Sequence, residues 1–546
     1  MIRTNLMNKI FALSVVLALT ACSCSSGSGA DTGGDRFSPG DQTYAPSAVR
    51  RVLDRQQKAA FEFFYNGADP QSGMAYEGNN RGNTVTTGGS GFGVMALIVG
   101  VERGWITREE GTGQLRKIVD FLTEADRYKG AWSHWYSPDG SYVAFGDQKA
   151  TGDLVESSFM MAGLLAAYEY FDGEDEAETS LREGIDNLYR TVDWSGYTGD
   201  SGDGLYWLWY SETDTYSLKI SGWNEALVTY LMALAAPEGH CIDAATYKRG
   251  WNLQSFPQRK TYGYELPLGN ELGGPLFFSH YTFLGFDPRF MQDDKAWYWR
   301  QNLSHTMVNR HYCIHSAPET YDYGVDMWGL TACYGAGSSP NYSARNPQND
   351  DGVIAPTAAL SAYPYTPFYS TQVLLNMDRI SECQGEFGLA DAYKPSEKAA
   401  NRDHLAIDQG PIVVMIENYR SGLIWNLLMS NDHVKAALEK AGIGMPSFED
   451  GFPFANIETG SGYMDMMQHP DREKYELDYY LAAGGSVEVK VVRESTGECV
   501  YSAAPDAEPG LNSLAFGADR VTRGEKYFIR LTAPGGKIHQ LPVVLH

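Results

Sequence analysis

The chain has 546 residues with 43 Lys and Arg against 68 Asp and Glu, a formal charge of −25 at pH 7, and no basic stripe or Lys/Arg cluster. That balance argues against nucleic acid as a partner, because a phosphate backbone is held through clustered positive charge. Aromatic residues make up 13% of the chain, with 35 Tyr and 12 Trp, many beside Gly, Asn, Asp and His rather than inside apolar runs; such a mixture suits a polar, ring-shaped ligand.

Residues 1–22 read as an address rather than a fold. Arg3 and Lys9 flank the start, and the apolar run from Ile10 to Leu19 is too short to stay in a bilayer as a spanning helix. It ends in Leu19-Thr20-Ala21-Cys22, a lipobox in which Cys22 becomes the acylated amino terminus after cleavage. Residues 23–44, rich in Ser and Gly, form a flexible tether. The expectation is an exported lipoprotein on the periplasmic face or the outer-membrane surface, touching the membrane through its lipid alone. An ordinary secretory signal with a chance cysteine is the alternative, and it too exports the chain. The remaining cysteines, Cys24, Cys241, Cys313, Cys333, Cys383 and Cys499, fall at no metal-ligand spacing, nor do His and acidic residues. No metal and no cofactor are expected.

Residues 45–475 read as an all-α catalytic domain. Apolar residues recur at helical spacing over 47–66, 90–103, 108–126, 153–172, 176–192, 220–236, 243–253, 274–283, 293–312, 353–362, 367–382 and 410–430, separated by long loops dense in Gly, Tyr, Trp and Asp. About six antiparallel pairs suggest a closed toroid whose inner helices are packed on both sides. The 153–172 segment, apolar almost all round, fits an inner place; 108–126, with Leu115, Ile118, Val119 and Leu122 on one face, fits an outer one. Strand alternation is confined to the end, at 486–493, 498–503, 511–516, 526–532 and 540–545, and predicts a small β-sandwich over residues 476–546. Without an exposed Trp in its strands, its favoured role is packing on the barrel rather than binding sugar.

The polar loop Gly146-Asp147-Gln148-Lys149-Ala150-Thr151-Gly152 runs into Asp153 and Glu156 at a predicted inner-helix start. Asp153 and Glu156 have capping-box spacing, which explains Glu156 structurally and leaves Asp147 unexplained. Ser221-Gly222-Trp223-Asn224-Glu225-Ala226 opens another inner helix, with Glu225 in its first turn opposite the face of Ile220, Trp223, Leu227, Leu231 and Leu234. A helix-dipole contact accounts for Glu225 alone. Glu225 together with Asp153 or Asp147 matches the need of glycoside hydrolysis for one protonated and one ionised carboxyl across a bond. His280, Tyr281, Arg289, Trp328 and Asp351 are candidate walls of such a site, along with Trp223. Gly88-Gly89-Ser90-Gly91-Phe92-Gly93 lacks the preceding strand of a nucleotide loop and reads as a tight entry, capped by Ser90, into an inner helix.

Several blocks, Gly88 to Gly100, Gly152 to Leu165, Trp223 to Ala235, Gly273 to Arg289 and Asp351 to Pro367, resemble the bacterial glycoamylase-like domain that includes glycoside hydrolase family 144, over roughly residues 45 to 470. The resemblance implies an (α/α)6 barrel, β-1,2-glucan as substrate, inversion at the anomeric carbon, and sophorose and other short oligosaccharides as products. It places the functional acids at Asp147, Asp153 and Glu225, with two extra residues between the aspartates compared with the family pattern. Two other classes fit the composition: a non-catalytic glycan-binding outer-membrane lipoprotein, and an (α/α)-barrel hydrolase or lyase of another glycan. A binder does not require carboxylates paired at helix starts, and so acidic a surface disfavours uronate-rich substrates.

Overall fold

The computed structural model describes residues 45–144, 151–252, 259–446, 464–472, 474–481, 484–536 and 538–545. The lipobox with Cys22, the tether and Asp147 lie outside the described residues.

Helices alternate between two layers, an arrangement consistent with an α/α-barrel. The outer layer holds α1 (Pro46–Tyr65), α3 (Arg108–Glu124), α5 (Glu176–Arg190), the short α7 (Ala244–Tyr247), α8 (Tyr298–His311) and α10 (Pro367–Met377). The inner layer holds α2 (Thr87–Glu102), α4 (Leu154–Tyr170), α6 (Leu227–Ala235), the turns Leu276–Ser279 and Thr282–Leu284, α9 (Pro356–Leu360) and α11 (Ala406–Ser421). After α11 come α12 (Leu423–Ser430) and α13 (Asp432–Ala441). Both α2 and α4 are buried all round from their first residue to near their last, as a helix enclosed by neighbours must be. In α3 the buried stripe includes Leu115, Ile118, Val119 and Leu122, matching the outer-helix reading.

Glycine sets the closest inner contact. A Cβ on Gly91 would meet Met160 Cα and Phe159 O at 2.5 Å, and one on Gly163 would meet Gly91 O at 2.3 Å. The glycines of 88–93 therefore lie inside α2, letting it press on α4, and do not form an entry loop. Ser90 is no cap: its hydroxyl donates to Thr86 O at 2.5 Å and accepts from Ala75 N–H at 2.9 Å.

Three expectations shift. The predicted helix 220–236 begins only at Leu227, because Leu205–Tyr210 and Thr215–Ile220 form an antiparallel hairpin that also pairs with the short strand Thr151–Asp153. The predicted helix 274–283 is two turns, and 353–362 contracts to five residues. Strands are not confined to the end: short pairs such as Val85–Thr86 with Trp135–Tyr136 occur between the helices.

The carboxy-terminal strands begin at Met464. Met464–His469, Lys474–Leu481 and Gly510–Gly517 form one antiparallel sheet; Cys499–Ala503, Glu488–Arg493, Lys526–Thr532 and Ile538–Val544 form another. Tyr475, Leu477 and Phe516 of the first share one apolar cluster with Val489, Val491 and Ile529 of the second. This region is tied to the end of α11, where Tyr419 donates to the Asp471 carboxylate and Arg472 Nη2 donates to Tyr419 O at 2.9 Å.

Candidate active site

The starts of the inner helices converge, and carboxylates gather there. Asp153 caps α4: its Oδ1 accepts the Glu156 N–H at 3.0 Å and its Oδ2 lies 2.8 Å from His134 Nδ1. It is fully buried, so with both oxygens committed it fixes His134 rather than touching a sugar. The capping box forms only by half. Glu156 turns away from Asp153, and its Oε2 accepts the Gly88 N–H at 2.6 Å, a contact open only to glycine, since a Cβ there would sit 2.4 Å from that oxygen. Glu156 Oε1 lies 3.9 Å from His134 Nδ1.

Burial alone would discharge His134, but Glu156, Asp153 and Glu77 outweigh it and lift the imidazole to about 9, so the ring is a cation at neutral pH. Burial raises the Glu156 carboxyl; His134 opposes the shift, while Asp153 and Glu77 add to it.

Glu225 sits in the loop between the hairpin and α6, two residues before the helix rather than in its first turn. Its carbonyl accepts the Thr282 hydroxyl at 2.8 Å, and the same hydroxyl accepts Val228 N–H at 3.1 Å, pinning the loop to the next inner segment. No neighbouring charge among the described residues compensates the carboxyl, and desolvation pushes it up to about 7.

Tyr281 joins the two walls. Its buried hydroxyl has no hydrogen-bond partner among the described residues and lies within the electrostatic reach of Asp408, Tyr342, Glu225 and Glu156. In the first turn of α11, Asp408 interacts with Asp391, whose Oδ2 accepts the Tyr334 N–H at 2.6 Å. One oxygen of each has no N–H or O–H donor. Burial raises both carboxyls, and two facing carboxylates in so closed a place must share one proton, which Asp408 keeps.

Of the sequence-predicted residues, Glu225, Asp153 and Tyr281 come together here. Trp328 is fully buried and cannot meet a saccharide. Trp223 is buried and stacked on Tyr298, ring centroids 6.0 Å apart. His280 lies under the surface beside Tyr365, where burial, with His305 adding, pushes it down to about 3 and keeps it neutral. Arg289 stands at the opposite end of the ring, paired with Asp287 at 2.7 Å and packed over Trp425. Asp351 anchors its loop to buried Arg345 through contacts of 2.6 and 3.1 Å. These five serve as packing or anchoring groups. Glu77, His134, Asp391 and Asp408 were not among the candidates. Asp408 carried a usable signal, an acid in the first turn of an inner helix, whereas His134 lies in a loop between two-residue strands with none.

Residues 217–432 match the Glycoamylase family model, described as "putative glucoamylase". A relative from Parabacteroides distasonis, an exo beta-1,2-glucooligosaccharide sophorohydrolase (non-reducing end), is 39% identical over 426 residues, 73% of this chain and 58% of that protein. The chain thus spans less than two thirds of that relative's length. Among solved structures, an endo-beta-1,2-glucanase from Chitinophaga pinensis in complex with sophorotriose and glucose is 43% identical with a TM-score of 0.69, covering 73% of this chain and 99% of that one. A beta-1,2-glucanase from Parabacteroides distasonis is 38% identical with a TM-score of 0.69, covering 72% and 60%. The match to the Chitinophaga chain leaves more than a quarter of this one without a counterpart.

Proposed function

The chain belongs to the glycoamylase-like family of β-1,2-glucan-hydrolysing proteins, and from that premise we propose that it hydrolyses β-1,2-glucan to sophorose and short β-1,2-glucooligosaccharides with inversion at the anomeric carbon. The observation that carries this reading is a half-buried Glu225 whose carboxyl, pushed up to about 7 by desolvation, stays substantially protonated at neutral pH, with Tyr281 in reach of both it and Glu156. Glu225 gives its proton to the leaving glycosidic oxygen as the C1–O bond breaks. Water adds to C1 from the other face, and its proton passes to Glu156, whose Oε1 faces the His134 ring while Oε2 stays on Gly88 N–H. Asp153 is a positioning residue, holding His134 and the start of α4 in place. Inversion requires the acid and base to stand ~6.5–9.5 Å apart with water between them.

The same reading takes the two layers as a complete (α/α)6 barrel and the terminal sheets as a β-sandwich packed on it. It also takes the chain as an exported lipoprotein, acylated at Cys22; no described helix is long and apolar enough to cross a membrane. Metabolic labelling with a radioactive fatty acid, lost in Cys22→Ser, tests the anchor.

The activity is tested by incubating the purified protein with a panel of linkage-defined glucans and following products and anomeric configuration by NMR. The expected result is release of sophorose and its short homologues from β-1,2-glucan alone, first appearing as the inverted anomer. Turnover of another linkage only, or release of the retained anomer, rejects the proposal.

A further inference from the structure

A cavity lined by none of Glu225, Glu156, Asp391 and Asp408 lies at the seam between the barrel flank and the terminal strands. Its volume is about 270 Å³, near the lower end of ligand pockets at ~300–1,000 Å³. The barrel supplies Trp299, Arg300 and Leu303 from α8, and Tyr365 and Tyr369 from around the start of α10; the strand region supplies Gln468 and Asp478. Neither part makes the cavity alone. The aromatic walls are held in place. Trp299 packs against Tyr365 and Trp425 with ring centroids 5.2 and 6.4 Å away. The Tyr365 hydroxyl donates to Ser279 O and accepts from Asn302 Nδ2, each at 3.1 Å. Arg310 lies over the Tyr369 ring at 4.0 Å. Asp478 is fixed by the Ser513 hydroxyl at 2.8 Å.

We propose that this seam is a second, non-catalytic saccharide site that takes a neutral glucosyl segment of the glucan. Aromatic rings match the C–H faces of a sugar, and an arginine on the barrel wall with a glutamine and a carboxylate on the strand wall offers donors and acceptors for its hydroxyls. Asp478 offsets the charge of Arg300 in the lining, and in a chain of net charge −25 this favours a neutral ligand over an anionic one. A site outside the hollow tethers a polymer while the mouth works on another stretch of it, raising its effective concentration there. The terminal strands thereby form one wall of a binding site as well as packing on the barrel. The glucan specificity rests on the function proposed above, whereas the existence of the site does not.

The test uses the full-length protein carrying Glu225→Gln, titrated calorimetrically with β-1,2-glucooligosaccharides long enough to fill the mouth, with and without Tyr369→Ala or the cavity-filling Leu303→Trp. The expected result is two binding sites per chain in Glu225→Gln and one in either double variant, with unchanged melting curves. In the otherwise wild-type protein the same seam substitutions should leave kcat on short oligosaccharides unchanged and raise KM for long glucan several-fold. A single site per chain, unaffected by both seam substitutions, overturns the proposal even if the wild-type enzyme hydrolyses the glucan. Seam-dependent saccharide binding in a protein that hydrolyses no β-1,2-glucan upholds the site and rejects the catalytic reading instead.

Discussion

Where the inner helices finish, charges meet partners. Arg103, just past the end of α2, grips the buried Glu417 near the end of α11 through contacts of 2.6 and 2.8 Å, and Glu417 also accepts Ser421 Oγ at 2.7 Å. Arg289 does the same for Asp287. Where these helices start, Glu225 has no cation and the Tyr281 hydroxyl no partner among the described residues, and Asp408 and Asp391 are held to one proton between them. The His134–Asp153 pair apart, the ring thus places satisfied ion pairs at one end and uncompensated carboxyls at the other. A buried polar group left unsatisfied is destabilising, so the start of the ring is held in shape by packing and by the paired end, which frees its carboxyls to exchange protons with a substrate.

The contrast breaks most visibly at Glu225. Glu225→Gln keeps the shape and removes the proton, so kcat should fall by ~10²–10⁴, the usual contribution of a general acid, measured as reducing-sugar release. In the wild type kcat should decline as pH rises through about 7, as Glu225 loses its proton. Stability should follow the same direction. The folded carboxyl binds its proton more tightly than the unfolded one, whose pKa is near 4.5, so the stabilisation is fully present below about 4.5 and is lost as pH rises through about 7. Urea unfolding should show the wild type losing stability, on the order of 3 kcal/mol for this group, between pH 5 and pH 8. Glu225→Gln should lack that part of the slope.

The next largest effect is expected at Gly88. Alanine there would put a methyl 2.4 Å from Glu156 Oε2, forcing the carboxylate off its backbone donor and away from His134. At least a tenfold loss of kcat is expected, with a stability cost of ~1–3 kcal/mol for the intrusion. Unchanged kinetics would remove Glu156 from the proposed chemistry.

At the other end of the ring the outcomes should reverse. Arg103→Ala leaves Glu417 buried with only Ser421 and a 3.3 Å contact to Gln57, and should cost about 2 kcal/mol in urea unfolding, less than the ~3–5 kcal/mol of a fully enclosed pair because the arginine is partly solvated. On β-1,2-glucan kcat should not move. A loss of activity without a loss of stability would mean that the two ends are not separable in the way the geometry suggests.

How much of this was legible in the sequence follows from what each pattern encodes. Periodicity found the inner and outer character of α4 and α3, because burial all round or on one stripe is written directly in residue type. It failed at 220–226, where Ile220 and Trp223 keep a helical spacing with Leu227 although Ile220 ends a hairpin strand and Trp223 lies in a loop. It also passed over Met464–His469 and Lys474–Leu481, strands set in charged sequence. Motif reasoning picked Glu225 and Asp153 at helix starts, and His280, Tyr281, Arg289 and Trp328 as loop walls, by the same local cues. What separates Tyr281 from its neighbour His280 is which way each side chain turns, the one toward Glu225 and Glu156 and the other toward Tyr365, a matter that local spacing does not carry. The Gly88–Glu156 contact and the Asp391–Asp408 pair join residues 68 and 17 positions apart, and only folding brings them together.

Tyr281→Phe should give the smallest effect and tests the contrast most finely. The substitution deletes a buried hydroxyl that has no hydrogen-bond partner and leaves the ring stacked on Phe277 at 5.1 Å. At an ordinary core tyrosine, losing the hydroxyl costs a hydrogen bond; here it removes an unmet one, and the free protein should become more stable by about 1 kcal/mol. The same hydroxyl lies within the electrostatic reach of Glu225 and Glu156, so KM or kcat on β-1,2-glucan should worsen several-fold as melting temperature rises. That opposition of signs is what a site poised for a ligand produces and what a packing residue does not. If Tyr281→Phe lowered stability while leaving turnover intact, the hollow would have to be regarded as core, and the uncompensated end of the ring would lose the group that links its two walls.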